Sequence, residues 1–243
     1  MLYFFMEIYI NIDGVLRNTI QKFDYHYKDF FLERDEEPPK KTNINDDGEE
    51  GDVIIIEPFD YGIDGKINND DLLKYYRFQS VGEFNNFTYI EFPIDIFGHA
   101  GVSYSTAMSD LNKLIYENLE HNFTIVGIDN LGKAKSASLF FLSKNGCLAN
   151  NIKFISQDKI DNSWNNCDIW ITDDKKVIDT CPKNKIAIKF NTSYNDNFSH
   201  LYEINKLEKI EETWLTYLEK NTTSTLKKSQ KNVKSKSRGI VKV

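Results

Sequence analysis

The sequence predicts an α/β fold built on a parallel sheet. An apolar run near the N-terminus ends abruptly at Asp13-Gly14, as a buried strand ends in a turn, and from Phe123 onward short apolar runs alternate with helical patterns. Between these regions lies a long stretch without that alternation, which predicts an insertion. With 243 residues, 40% apolar and 14% aromatic, the chain has enough apolar material for one large core and an insert.

The expected elements follow in order. Residues 2–12 form the first strand, and residues 17–41 are aromatic and charged, with Phe23, Tyr27, Phe30 and Phe31 at near-helical spacing until Pro38-Pro39. Residues 43–52 show no apolar pattern apart from Ile44 and are expected to form a loop; residues 53–56 give a short strand signal. Turns are expected across residues 60–69, a short helix over 70–78, a strand over 87–92 and a loop at Gly98-His99-Ala100-Gly101.

The pattern then sharpens. Leu111, Leu114, Ile115 and Leu119 make an apolar stripe behind a Ser/Thr-rich start, the mark of an amphipathic helix. Residues 123–128, 152–155, 168–172 and 185–190 read as strands, with a helix over 133–144 that stops at Asn145-Gly146 and a last helix over 207–218. Such alternation implies right-handed crossovers, helices on both faces of the sheet and a three-layer core. The boundaries expected are 1–16 plus 105–218 for the core, 17–104 for the insertion and 219–243 for a tail.

Charge and cysteine content narrow the function classes. A net charge of −7 opposes general nucleic-acid binding, although residues 33–52 hold nine acidic against three basic side chains and residues 220–243 hold eight basic and no acidic ones. Three cysteines without metal-ligand spacing suggest neither a disulfide framework nor a zinc site, and point to a reducing compartment. The apolar start, interrupted by Glu7, has no basic leader or small-residue cleavage site, so no signal peptide is expected. No run reaches the ~20 apolar residues of a membrane span.

Four places carry the chemistry. Asn11-Ile12-Asp13-Gly14-Val15-Leu16 ends the first strand, Asp129-Asn130 follows the strand at 123–128, Asp158-Lys159 follows the strand at 152–155, and Asp173-Asp174 ends the strand at 168–172. Taken together they resemble the motifs of the haloacid dehalogenase-like phosphatases, in particular the 5′-nucleotidase branch. The resemblance covers somewhat under half the chain. It implies a Rossmann-like core with the insertion serving as a cap, and a site at the C-terminal ends of the strands.

It also implies roles for individual residues. Asn11 stands where the family has its nucleophilic aspartate, and a neutral amide lacks the anionic oxygen needed to attack phosphorus. Asp13 matches the general acid, or is merely a turn residue beside Gly14. Asp129 stands where a Ser or Thr hydroxyl would hold phosphate; a carboxylate there would repel it, and the pair reads better as a loop or helix cap. Lys159 matches the lysine that neutralises phosphate, or is a solvated surface lysine. Asp173 and Asp174, with the backbone carbonyl of Asp13, match an oxygen-rich magnesium site, in which the ion is expected to bind weakly or not at all. His99 has no nucleophile motif beside it and reads as a loop or packing residue; residues 60–71 lack the order of a calcium loop.

The expectation is a catalytically degenerate phosphatase-like domain acting as a structural or assembly protein. The AT-rich codon bias behind the many Asn, Lys and Ile residues fits a phage virion component, and a cytoplasmic or virion location. A Lys-rich tail at 220–243 would be ordered by other proteins of a large assembly, through an acidic surface, or by nucleic acid. The alternatives are a magnesium-dependent nucleotide phosphatase and a small-ligand sensor that keeps the pocket without turnover.

Overall fold

A computed structural model describes residues 5–33, 41–44, 50–54, 76 and 78–210. Its strands are β1 (Glu7–Asn11), β2 (Lys41–Ile44), β3 (Glu50–Ile54), β4 (Asn122–Ile128), β5 (Asn151–Ile155), β6 (Ile169–Thr172), β7 (Ile186–Phe190) and β8 (Glu203–Ile204). The helices are α1 (Thr19–Glu33), α2 (Val81–Asn85), α3 (Ala107–Glu117), α4 (Lys135–Lys144), α5 (Ile160–Ser163) and α6 (Lys175–Asp179).

Six strands form one sheet in the order β5-β4-β1-β6-β7-β8, every pairing parallel. Side-chain alternation builds the layers. Ile8, Ile10 and Ile12 point to one face, where Ile125, Ile169, Ile171 and Ile188 join Leu111 and Leu114 of α3 and Phe141 and Leu142 of α4. Tyr9, Val126, Trp170 and Ala187 point to the other, against Ile160, Trp164, Val177 and Ile178. With both faces covered, the strands must be apolar throughout, which is why they are legible as apolar runs.

β1 lies at the centre of the sheet. From it the chain goes first to β4 and β5 on one side and then to β6, β7 and β8 on the other. Connections that leave in opposite directions open a crevice beyond the carboxyl ends of the central strands, where open α/β sheets bind ligands.

A third cluster covers that end. Phe23 and Tyr27 of α1 pack with Tyr76, Phe78, Phe87, Ile96 and Phe97, and onto Ala134 and Ala137 at α4. Two π-helical segments, Asn86–Glu91 and Ile94–Gly98, follow α2 and make wide turns, as in the bonds Phe92 N–H to Phe87 O at 3.1 Å and His99 N–H to Ile94 O at 2.9 Å. Wide turns of this kind mark functional sites more often than ordinary helix does.

Several local expectations are corrected. The strand expected at 87–92 is the first π-helical segment, because packing Phe87 and Phe92 on α1 outweighs their strand propensity. The expected loop at 43–52 contributes to the antiparallel pair β2–β3, held by backbone pairing across an irregular register. α3 stops at Glu117, leaving Leu119 solvent-exposed. Of the last expected helix, only a short 3₁₀ turn at Leu207–Lys209 and Ile210 lie within the described residues. Most of 60–78 and the tail at 219–243 lie outside them. Among the described residues no helix is long and apolar enough to cross a membrane.

Candidate functional site

At the carboxyl ends of β1, β4 and β6, under the aromatic cluster, lies a cavity of about 390 Å³. Asn11, Val126, Ile128, Asn130, Gln157, Asp13, Asp173 and Asp174 line it from the sheet side, and Phe23, Phe84, Thr88, Tyr89, Ile96 and Phe97 from the cap side. A larger, shallower groove of about 650 Å³ lies at the amino ends of the strands, lined by Asn122, Asn151, Lys153, Asp168 and Lys185. Strand ends and helix starts converge on the carboxyl-end cavity, which makes it the candidate site.

Asn11 ends β1 and is buried at 3% exposure. Its Oδ1 accepts from the Trp170 indole N–H at 2.7 Å, and its Nδ2 donates to Thr172 Oγ1 at 2.7 Å. Both partners lie on β6, so the amide is stretched sideways between neighbouring strands. Thr172 Oγ1 also accepts from the Asp174 N–H at 3.0 Å. An amide so held fixes the register of β1 against β6 and has no anionic oxygen to present to the cavity.

Asp13 lies in the turn after β1 and is paired with Arg17. Arg17 donates to Asp13 Oδ1 through Nη2 at 2.7 Å and Nε at 3.0 Å, and the Thr19 hydroxyl also donates to that oxygen. Arg17 is 1% exposed; its Nη1 donates to Phe97 O and to Ser138 Oγ, each at 3.0 Å, and its guanidinium lies 5.0 Å from the Phe97 ring centroid. A buried guanidinium needs this density of acceptors and aromatic faces to offset lost hydration. Sequence reasoning missed Arg17; the signal was a charged residue directly after the apolar Val15-Leu16.

Gly14 completes the turn with φ +72°, and a Cβ on it would lie 2.0 Å from Asp173 Cγ. Only glycine lets the buried Asp173 carboxyl rest on the β1 turn. Tyr194, after β7, donates its hydroxyl to Asp173 Oδ2 at 2.9 Å, and Asn195 Nδ2 donates to Asp173 O at 3.3 Å. Burial first, then the Asp174 and Asp13 carboxylates, pushes the Asp173 pKa up to about 8 against the pull of the Tyr194 hydrogen bond. Burial, followed by Asp13 and Asp129, likewise raises the Tyr89 phenol. Tyr194 and Tyr89 carry no local sequence signal, because only the fold brings them to the strand ends.

The other motif residues take different places. Asp129 accepts from Ala134 N at 2.8 Å and Leu131 N at 3.2 Å, closing the loop before α4, and is not among the cavity residues; the charge expected to repel phosphate is thus used on backbone amides. Its neighbour Asn130 reaches the cavity instead and accepts from Gln157 N at 2.7 Å. Lys159 is exposed and likewise not among the lining residues. Asp174 caps α6 through Lys176 N at 2.7 Å. His99 packs edge-on to Phe140.

Magnesium requires near-octahedral oxygen ligands. Asp13, Asp173 and Asp174 line one cavity; Arg17 donates to Asp13 Oδ1, Tyr194 to Asp173 Oδ2 and Lys176 N–H to Asp174 Oδ1, while Asn11 Oδ1 accepts from Trp170. Among the described residues no group of three or more His, Cys, Asp or Glu side chains is arranged to hold a metal ion.

Fold and site together define a capped three-layer α/β protein with a carboxylate- and aromatic-lined cavity at its strand ends. No protein-family model and no curated protein matches the chain. Among solved structures it is similar to a haloacid dehalogenase-like family hydrolase from Streptococcus pneumoniae, at 11% identity, 86% coverage of this chain and 98% of that one, with a TM-score of 0.49. A Bacteroides fragilis protein described as a haloacid dehalogenase-like hydrolase matches at 11% identity, 85% and 100% coverage and TM-score 0.46. A haloacid dehalogenase-like family hydrolase from Xanthomonas campestris matches at 10% identity, 84% and 92% coverage and TM-score 0.42.

Proposed function

We propose that this chain is a ligand-binding protein on a phosphatase-like scaffold, one that keeps a capped cavity and does not transfer phosphoryl groups. The observation that carries this reading is the engagement of both polar atoms of Asn11 by Trp170 and Thr172. A residue in the nucleophile's place that is neutral and tied to the neighbouring strand supports the sheet rather than attack on phosphorus. The cavity of about 390 Å³, within the usual range for small-molecule sites, supports binding as the retained property.

The test is an assay of the purified chain with para-nitrophenyl phosphate and nucleoside monophosphates in the presence of magnesium. No release of phosphate above the buffer rate is expected. Turnover that disappears in Asp13→Ala would establish the nucleotide-phosphatase alternative instead. The assembly reading rests on the basic tail at 220–243, outside the described residues, and its own test is whether the chain is recovered only within a particle.

A further inference from the structure

The lining of the carboxyl-end cavity divides by charge. Its acidic side chains each accept a hydrogen bond from the fold itself: Asp13 from Arg17, Asp173 from Tyr194 and Asp174 from the Lys176 N–H. No lysine or arginine is among its described lining residues. The polar groups left to meet a ligand are uncharged. Thr88 is 3% exposed, and its hydroxyl has no hydrogen-bond partner among the described residues. Nor do the Tyr89 hydroxyl and the side-chain amides of Asn85 and Gln157, on the same lining, make a hydrogen bond among the described residues.

A charged ligand entering such a cavity loses its hydration and needs an opposite charge or several hydrogen bonds in return. Nothing basic is offered to an anion, and the acids already serve the fold. A neutral amide or hydroxyl meets groups that can each donate or accept. The rest of the wall is apolar, and much of it is aromatic: the Phe23 and Phe84 ring centroids lie 5.6 Å apart and those of Tyr89 and Phe97 5.3 Å apart, two packed ring pairs for a flat body to cover. A volume of about 390 Å³ gives room for a fused ring system.

Resting on the reading of the site as a non-transferring ligand site, we propose that the cavity binds an uncharged fused-ring aromatic molecule with an amide or hydroxyl edge, its rings against Phe23, Phe84 and Phe97 and its polar edge hydrogen-bonded to Tyr89 and Gln157. Thr88 and Asn85 are the further polar contacts. Such a ligand differs from a phosphate ester in carrying no charge.

Isothermal titration of the full chain in magnesium-free buffer tests it with indole-3-acetamide, sodium indole-3-acetate, tryptamine hydrochloride and inorganic phosphate. The first three share a fused-ring body and differ in charge. Indole-3-acetamide should bind about tenfold more tightly than the acetate or tryptamine, and phosphate should not bind. Tyr89→Phe keeps the ring and removes the hydroxyl. It should weaken the amide about fivefold and leave the melting temperature of the ligand-free chain unchanged or raised, since the hydroxyl has no internal hydrogen bond to lose. Gln157→Met should weaken the amide to a similar extent and carries the same test if Tyr89→Phe does not fold; Phe84→Leu should weaken it through the wall. The proposal is overturned by no measurable binding of indole-3-acetamide, by equal or tighter binding of either charged analogue, by an amide affinity unchanged in Tyr89→Phe and Gln157→Met alike, or by one unchanged in Phe84→Leu. Turnover of para-nitrophenyl phosphate alongside an intact amide preference would instead remove the non-transferring reading and leave the ligand class standing.

Discussion

Asn11 gives its oxygen to the Trp170 indole and its nitrogen to Thr172, and the two bonds predict opposite outcomes for two substitutions. Asn11→Asp retains a matching acceptor for both partners, since the Thr172 hydroxyl can turn to donate. It should change stability by no more than about 1 kcal/mol and produce no phosphatase activity, the new carboxylate being held sideways. Asn11→Ala strands a buried indole N–H and should cost about 1–3 kcal/mol in urea unfolding. Arg17→Met should cost more, about 3 kcal/mol, because it breaks a pair whose cation is buried; Arg17→Lys should rescue little, since one ammonium cannot reach Asp13, Phe97 O and Ser138 together. Asp173 adds a pH signature in chelator-treated protein. Its folded pKa of about 8 lies above the ordinary carboxyl value near 4, so the folded state holds the extra proton between those limits and stability should fall as pH rises through that window. Asp173→Asn should flatten the slope measured by thermal unfolding at pH 5 to 8; an unchanged slope would assign it to other groups. At this scale the sequence shows Asn11, Asp13, Asp173 and Asp174, which mark strand ends by their turn chemistry. It hides Arg17, Thr172 and Tyr194, whose roles exist only across strands.

Strands and turns show the same division. β1, β4, β5, β6 and β7 are legible because a sheet covered on both faces demands apolar runs, and α3 because its stripe is unbroken up to Ile115. The π-helical segments are not legible, since Phe87, Thr88, Tyr89 and Ile90 have the composition of a strand and only the packing of Phe87 on α1 makes the segment helical. The two-residue β8 is too short to leave a pattern. The β1 turn offers the sharpest test of an element: Gly14→Ala places a side chain at positive φ and into the Asp173 carboxyl. A loss of more than about 2 kcal/mol is expected, larger than the backbone strain alone of about 1 kcal/mol, and Asp173→Ala should recover part of it if the overlap is the cause.

Over the whole molecule, the cap cluster shares Ala134 and Ala137 with the helix that packs on the sheet, and Arg17 hydrogen-bonds to both Phe97 of the cap and Ser138 of α4. Cap and core should therefore unfold together. Tryptophan fluorescence of a Trp214→Phe variant, which reports on Trp164 and Trp170 on one face of the sheet, and near-ultraviolet dichroism, weighted by the cap's many Tyr and Phe rings, should give coincident urea transitions. Separate midpoints would show two independent units.

The chain leaves the core after Leu16 and comes back at Val102, and the two passages lie side by side: Arg17 bridges Val102 antiparallel, Asn18 N–H reaches Gly101 O at 2.9 Å and Ser103 N–H reaches Leu16 O at 3.0 Å. The described residues of the insertion leave and rejoin the sheet through this paired neck. The entropy of closing a loop grows only with the logarithm of its length, so whatever is threaded through the neck can lengthen, shorten or be exchanged at little cost to the sheet beneath. The aromatic walls can thereby vary with the insertion while the carboxyl ends of β1 and β6 stay where they are.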